Sequence, residues 1–410
     1  MEVWQTVQAR SHVVAGWAVA AVGFSLPISN TLDGILLVLA AVAWVISGAF
    51  IELPGVVREN RLTLLLPGFF LLLAVGMMHG LVPFSDRAKQ LWKYNDLMFP
   101  LMFIPLFLDA GVRERGLWAF GSSMALTLIL SLCIAGGLVP PNYWLHGTQA
   151  SAIVFKHDVT HNVLMAFAAF LFAGAAVRQR VPWRRYALGV LAMCAVVDVF
   201  MLVRGRTGQI VLSALILLWG ERHFGIRGLL VGVATVSALV AVSYSVSPVF
   251  QQRVHKTVTE LERAQVEPVA PISSSVGTRA EWYRNTANLI AAHPVAGVGT
   301  GSFARAYAEL VTEPAAVKPA HPHNQYLLAA AELGVAGAGL LLALFAILWW
   351  KIRQTGEHLY GELGQGVVMV LAIGCLFNSF LVDHTEGLFF AWVISLALAM
   401  KDHGSIGTGC

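Results

Sequence analysis

The dominant pattern in the chain is a series of long apolar runs separated by short polar segments. A helix that crosses a bilayer needs ~20 mostly apolar residues. Because backbone groups inside lipid must hydrogen-bond within their own segment, each run predicts a spanning helix. The pattern predicts an all-α polytopic membrane protein with about twelve spans, at 12–30, 33–52, 62–82, 97–110, 116–138, 160–177, 184–203, 208–221, 226–247, 326–350, 363–381 and 384–400.

One long polar break divides this pattern, and a connection of that length is often functional. Within it, residues 251–266 predict an amphipathic helix, 267–277 a turn-rich linker, and 278–292 a second helix that His293 and Pro294 end. The predicted regions are 1–247 with the first nine spans, 248–325 as a large outer loop, 326–400 with the last three spans, and 401–410 as a cytoplasmic tail.

Composition agrees with this class, since 57% of the residues are hydrophobic and only 12% are charged. Soluble domains carry about 25% charged residues. Arginines such as Arg58, Arg113, Arg178 and Arg353 gather on one side, which the positive-inside rule makes cytoplasmic. The loop 248–325 then faces the periplasm, and both termini lie inside. The net charge of +4 reflects this orientation and does not indicate a nucleic-acid partner.

His323 is the strongest candidate for a catalytic group. It follows Pro322 just before the tenth span, where a helix is expected to begin. The positive end of a helix dipole disfavours imidazolium, so a neutral ring there is a usable general base. The alternative interpretation is that His321 and His323 only cap the helix or sit at the membrane interface.

Arg204 and Arg206 form the second signal, on the outer side between the seventh and eighth spans. An arginine within the bilayer costs at least ~2.5 kcal/mol by insertion scales and is a functional hypothesis by default. Guanidinium groups suit phosphate oxygens. The alternatives are interfacial snorkelling and a structural pair with Asp198.

Further cations occur on the same side. Arg279 opens the predicted loop helix, where an anionic ligand would relieve its conflict with the helix dipole. Lys89 lies on a basic segment that reads either as an interfacial helix or as a rim for a lipid phosphate.

Motifs for metal or nucleotide chemistry are missing from the sequence. It contains no phosphate-binding G-x-x-x-x-G-K-[ST] loop, and its four cysteines include no C-x-x-C pair. We therefore expect no catalytic metal and no cofactor.

The residues around these candidates resemble the lipid-linked glycan ligase and polymerase superfamily, most closely the bacterial O-antigen ligases. His323 and Asn324, nine residues, Gly334, two residues and Gly337 match the ligase spacing. The stretches 277–282 and 293–299 resemble the outer-loop motif of the superfamily, and Arg206 matches its arginine beyond the middle spans.

This resemblance implies a glycosyltransferase of the C-type membrane architecture in the bacterial inner membrane, with its active site facing the periplasm. It would move a glycan from undecaprenyl pyrophosphate to lipid A–core oligosaccharide, without metal and with inversion. His323 would be the base, and Arg204, Arg206, Arg279, Lys89 and Asn324 would bind substrate.

Three alternatives remain open at this level. An O-antigen polymerase and a protein O-oligosaccharyltransferase use the same donor, and a lipid-glycan transporter would also place arginines in a cavity. Transporters commonly show repeats and broken mid-membrane helices, whereas here the polar residues cluster at one surface.

Overall fold

The structure is a computed structural model that describes residues 2–140, 145–246, 250–252, 254–255, 258–259, 275–313, 316–354 and 359–400. Within these residues the regular structure is helical, apart from one isolated bridge between Thr148 and Ser151. The helices, numbered in chain order, are α1 (Glu2–Ser25), α2 (Asn30–Ser47), α3 (Leu53–Glu59), α4 (Leu65–Gly76), α5 (Phe84–Trp92), α6 (Pro100–Phe107), α7 (Ala110–Ala135), α8 (Asp158–Arg178), α9 (Pro182–Val197), α10 (Arg206–Val246), α11 (Ser275–Ala292), α12 (Phe303–Leu310), α13 (Gln325–Leu333), α14 (Val335–Gln354), α15 (Leu359–Gly374) and α16 (His384–Leu398).

Among the described residues, six helices are long and apolar enough to cross a membrane. They are α2, α7, α8, α9 extended by a π-helical turn to Leu202, α10, and α14. A seventh span results if the pair Ala49–Glu59 and Arg61–Gly76, bent by 111°, counts as one. α15 and α16 are shorter apolar helices. The predicted class, a helical membrane protein, is confirmed, and the count of twelve stays a prediction.

α10 folds back on itself at Gly225, which has φ 60° and ψ −142°. The two arms then run past each other, since a Cβ on Gly220 would lie 2.4 Å from the carbonyl oxygen of Gly228. Only glycine permits such an approach of two backbones. The eighth and ninth predicted spans are therefore the two arms of one helical hairpin.

The predicted tenth span, 326–350, is not continuous. α13 ends at Leu333 and α14 begins at Val335, because Gly334 has φ 75° and ψ 178°. The carbonyl oxygen of Pro294 accepts a hydrogen bond from the N–H of Val335 at 2.9 Å. The segment at Pro294 therefore packs against the chain at the point where the helix is interrupted.

α16 lies at the centre of the bundle, and every residue from Thr385 to Leu398 is buried. Trp392 sits between two glycines, since a Cβ on Gly23 or Gly116 would approach its ring to 2.7 or 2.9 Å. Its indole N–H donates to the carbonyl of Val19 at 2.9 Å. These contacts hold α16 in a fixed place within the bundle, and its first turn lies at one end of it.

The described part of the predicted loop 248–325, residues 275–313, folds against that same end. The predicted helix at 278–292 is confirmed as α11, which begins three residues earlier. A small apolar core joins α11, the following turn, α12 and α13 through Leu289, Val298, Phe303 and Leu328. Most of the predicted amphipathic helix at 251–266, most of the linker 267–277 and the tail 401–410 lie outside the described residues.

Gly334→Ala is expected to destabilise the protein strongly. A Cβ there would lie 2.1 Å from the carbonyl oxygen of Val295 while φ stays at +75°. The positive φ alone costs ~1–3 kcal/mol, and the backbone collision would displace the loop. Gly339→Ala is the matched control, because its Cβ meets nothing within 4 Å. Thermal melting in detergent measures both; equal melting temperatures would contradict this account.

Candidate active site

His323 is held in an unusual backbone conformation. Its φ of 52° makes it a non-glycine residue in the left-handed region, a conformation of the kind that costs ~1–3 kcal/mol and clusters at functional sites. Its N–H donates to Nδ1 of His321 at 3.3 Å, and its carbonyl accepts from the hydroxyl of Tyr283 at 3.1 Å. The helix begins two residues later than His323, with Asn324 as its N-cap.

The ring of His323 is oriented by an amide and, behind it, a carboxylate. Its Nδ1 lies 2.9 Å from Oδ1 of Asn378, and Nδ2 of Asn378 donates to Oδ2 of Asp383 at 2.9 Å. Because a carboxylate can only accept, the Asn378 amide must turn its oxygen toward His323. Nδ1 then carries the proton, and Nε2 has the free lone pair that a general base needs.

Burial and charge both keep His323 neutral. Burial lowers the pKa of His323, the hydrogen bond to Asn378 acts in the opposite direction, and the charge of Arg279 lowers it further. Burial, with His323 and Lys93 nearby, lowers the pKa of His321 to about 4. Burial raises the pKa of Asp383, against the effects of Lys93 and Asn378. At neutral pH the imidazole is therefore in its basic form.

α11 supplies one wall of this site. Trp282 stacks on His323 with ring centroids 5.2 Å apart and an angle of 18°, and Tyr283 also donates to the carbonyl of Leu376 at 3.1 Å. Arg279 is three and four residues before them, which puts all three on one helix face. Arg284 is exposed instead. Arg279 and Arg284 therefore lie on different faces of α11.

The glycine turn after α11 fixes the helix that follows His323. Gly297, Gly299 and Gly301 have φ values of 66°, 88° and 84°. Their segment runs along the end of α13, where Val298 and Gly299 donate to the carbonyls of Ala331 and Glu332. The N–H of Gly301 donates to Oε1 of Glu332 at 2.9 Å. This loop thus locks the orientation of α13 and, through it, of His323.

Asn324 and Lys89 are placed differently from His323. Oδ1 of Asn324 caps α13 by accepting from the N–H groups of Tyr326 and Leu327, both at 3.0 Å, and its Nδ2 donates to Leu376. Lys89 is exposed and forms an ion pair of 2.9 Å with Asp86. Lys93, one turn further on, is the lysine whose charge reaches His321 and Asp383.

Arg204 and Arg206 are exposed where the chain leaves the π-helical turn and enters α10. Nε of Arg204 donates to the carbonyl of Ala150 at 3.1 Å, and its N–H to Oγ of Ser151 at 3.1 Å. The alternative pairing with Asp198 is not what the structure shows. Asp198 is buried and bonds Nε2 of His161 at 3.0 Å, as well as the hydroxyl of Ser131.

Lys156, which sequence reasoning missed, links the segment that Arg204 contacts to α16. Nζ of Lys156 donates to Oγ1 of Thr385 at 3.1 Å and to Oδ1 of Asn30. Thr385 is two residues from Asp383, so Lys156 binds the start of α16 close in sequence to the carboxylate that contacts Asn378. Glu386, in the first turn of α16, accepts a hydrogen bond from the hydroxyl of Thr160 at 2.5 Å. Among the residues that the structure describes, no three His, Cys, Asp or Glu side chains converge as a metal site would require.

Comparison with known proteins finds a family model that matches part of the chain. Residues 198–342 match a family model described as O-antigen ligase, and this match confirms the resemblance predicted from the sequence. The matched segment includes Arg204, Arg206, Arg279 and His323, while Asn378 and Asp383 lie beyond it. No curated protein matches the chain.

Proposed function

Because residues 198–342 match the O-antigen ligase family model, we propose that the protein transfers a glycan from undecaprenyl pyrophosphate to a hydroxyl of lipid A–core oligosaccharide. The family indicates ligase or polymerase-type activity in a multi-pass membrane protein. The observation that carries the finer proposal is His323, whose Nδ1 is held by Asn378 and Asp383 while Nε2 stays available. The site would lie at the periplasmic face of the inner membrane.

The reaction is a single displacement at the anomeric carbon. The acceptor oxygen forms the new glycosidic bond while the bond from that carbon to the pyrophosphate oxygen breaks, and the bond pair leaves with the pyrophosphate. The proton of the acceptor hydroxyl passes to Nε2 of His323. Attack from the face opposite the leaving group inverts the anomeric configuration.

Cations near the site stabilise the charge that develops on the leaving group. Arg279 shares one face of α11 with Trp282, which stacks on His323, so its guanidinium would reach a substrate bound at that ring. Arg204 and Arg206 add exposed guanidinium groups, which suit phosphate oxygens geometrically. Lys89 and Asn324 remain proposed substrate contacts. Lys89 would contact the substrate from the basic segment that carries it, and Asn324 would act by fixing the backbone at the start of α13.

The test is a transfer assay with purified protein, lipid-pyrophosphate glycan and lipid A–core in excess EDTA. We expect undiminished transfer, because arginines replace a metal in balancing the pyrophosphate charge. Loss of activity on chelation, restored by a divalent ion, would contradict the metal-free mechanism, and Glu281 and Asp383 would then be the first ligands to test.

The same assay separates the related activities. Elongation of a second lipid-linked glycan would identify a polymerase, and transfer to protein would identify an oligosaccharyltransferase. Movement of the donor across vesicles without bond cleavage would indicate a transporter. Each of these outcomes, in the absence of transfer to lipid A–core, would replace the ligase proposal.

A further inference from the structure

A groove of about 430 Å³ opens on the side of the bundle, between α7 and α9. The buried side chains of Leu171 and Phe172 on α8 form its floor, together with Gly121 of α7. Trp118 and Ser122 stand exposed at its lip. The groove therefore opens toward the surface that lipid surrounds.

One end of this groove is polar. Glu114 in the first turns of α7, Arg178 and Gln179 at the end of α8, and Tyr360 at the start of α15 line it there. Nη2 of Arg178 pairs with Glu362 at 2.7 Å, and the guanidinium of Arg113 lies 5.7 Å from the ring centre of Tyr360. The exposed Arg180 and Arg184 follow directly. Glu114 and Arg178 are the charged residues that line this mouth, and Arg113, Arg180 and Arg184 add positive charge next to lining residues.

The other end of the groove is apolar and reaches the middle of the bundle. Glu114 and Ala125, which line its two ends, are eleven residues apart on α7, or about 16 Å at 1.5 Å per residue. Half of a ~30 Å hydrocarbon core has the same depth. The groove is therefore as long as one leaflet is thick.

The groove also lies far from the candidate active site. Ser131, further along α7, contacts Asp198 and the carbonyl of Ala152 on the side of Lys156 and Arg204. The basic mouth is at the opposite end of α7. A donor whose pyrophosphate lies near His323 would therefore have that pyrophosphate at the end of the bundle opposite to this mouth.

We propose that the groove binds one anionic phospholipid from the leaflet on the side of Arg178. One acyl chain fills the apolar channel, and the phosphate lies among the arginines at the mouth, where anionic head groups attract basic side chains. This site is independent of the proposed transfer reaction, which takes place at the other end of the bundle.

The test compares lipids added to the delipidated protein, with native mass spectrometry and melting temperature as readouts. Dioleoylphosphatidylglycerol should bind in one tightly held copy and raise the melting temperature by at least ~3 °C at saturation. Dioleoylphosphatidylcholine should do neither. Glycerol 3-phosphate, which carries the same phosphate without chains, should give no shift; a shift with it would reduce the site to a phosphate site.

Two variants locate the site. Gly121→Leu should abolish the shift by filling the groove, since a Cβ there meets only ordinary contacts at 3.7 and 3.9 Å. Gly68→Leu is the matched control, because Gly68 is exposed on α4 and its Cβ meets nothing within 4 Å. Ala125→Leu fills the deep end and replaces Gly121→Leu if that variant does not fold.

Arg180→Gln combined with Arg184→Gln tests the mouth and should remove the preference for phosphatidylglycerol over phosphatidylcholine. Equal binding of both lipids to the wild type, or an unchanged shift in the groove-filling variants, would overturn the proposal. Displacement of phosphatidylglycerol by undecaprenyl phosphate at equal concentration would assign the groove to a polyprenyl chain instead.

Discussion

His323→Ala is expected to lower the rate of glycan transfer by about 10²–10⁴-fold, the contribution typical of a general base. In the proposed reaction its ring meets the acceptor proton and not the pyrophosphate, so the Kd for the donor should stay close to that of wild type. Single-turnover transfer and donor binding, measured on samples of matched folded yield, separate the two effects.

The controls for this variant are other histidines on the same side of the protein. His293 is exposed at the end of α11, and His293→Ala should leave transfer unchanged. His321→Ala should be mild, because His321 lies outside the matched motif, and its loss removes one hydrogen bond of 3.3 Å to the His323 backbone while the contacts of the His323 ring with Asn378 and Trp282 stay in place. Near-normal transfer by His323→Ala, or equal damage from His321→Ala, would show that the base is elsewhere.

The arginines provide the contrast to a base. Arg279→Ala and Arg206→Ala each remove a charge-assisted contact of ~1.5–3 kcal/mol. They should weaken donor binding by roughly 10–150-fold and reduce turnover as well. Lysine at either position should restore binding only in part, because a point charge does not reproduce a bidentate guanidinium.

Much of this site could be predicted from local sequence. His323 follows a proline at a helix start, and Arg279 and Trp282 occupy one short motif. The spacing of these residues along the chain was therefore sufficient to select them as candidates. Gly225 also fell at a boundary that the sequence marked, because Glu221, Arg222 and Arg227 interrupt the apolar pattern on both sides. These features depend on residues that are close together in the sequence, so the sequence pattern predicts them.

Other features depended on the fold. Asn378 is 55 residues from His323 and stands within an apolar run, where a single amide gives no signal of its own. Lys156 lies in an irregular segment, and only its contacts with α2 and α16 in the folded protein mark it as a residue near the site. Gly334 interrupts an apolar run whose hydropathy continues through it, so only its positive φ and the docked loop reveal the break.

Asn378 gives the sharpest test of how His323 is poised. Asn378→Ala removes the hydrogen bond that holds Nδ1 and the correct tautomer, so turnover should fall on the order of 10–100-fold, as when partners that orient a ligating imidazole are lost. Asn378→Asp keeps an acceptor at 2.9 Å from Nδ1 but adds a negative charge beside the ring.

The two variants should move the pH profile in opposite directions. The proposed reaction requires the neutral ring, so activity should fall as the pH drops through the pKa of His323. The bond to Asn378 raises that pKa against the effect of burial, so its loss in Asn378→Ala should move the acidic limb of kcat/KM to lower pH. The carboxylate of Asn378→Asp favours imidazolium and should move the limb to higher pH. A purely structural asparagine would lower activity in both variants without shifting the limb, and that result would remove Asn378 and Asp383 from the account of the base.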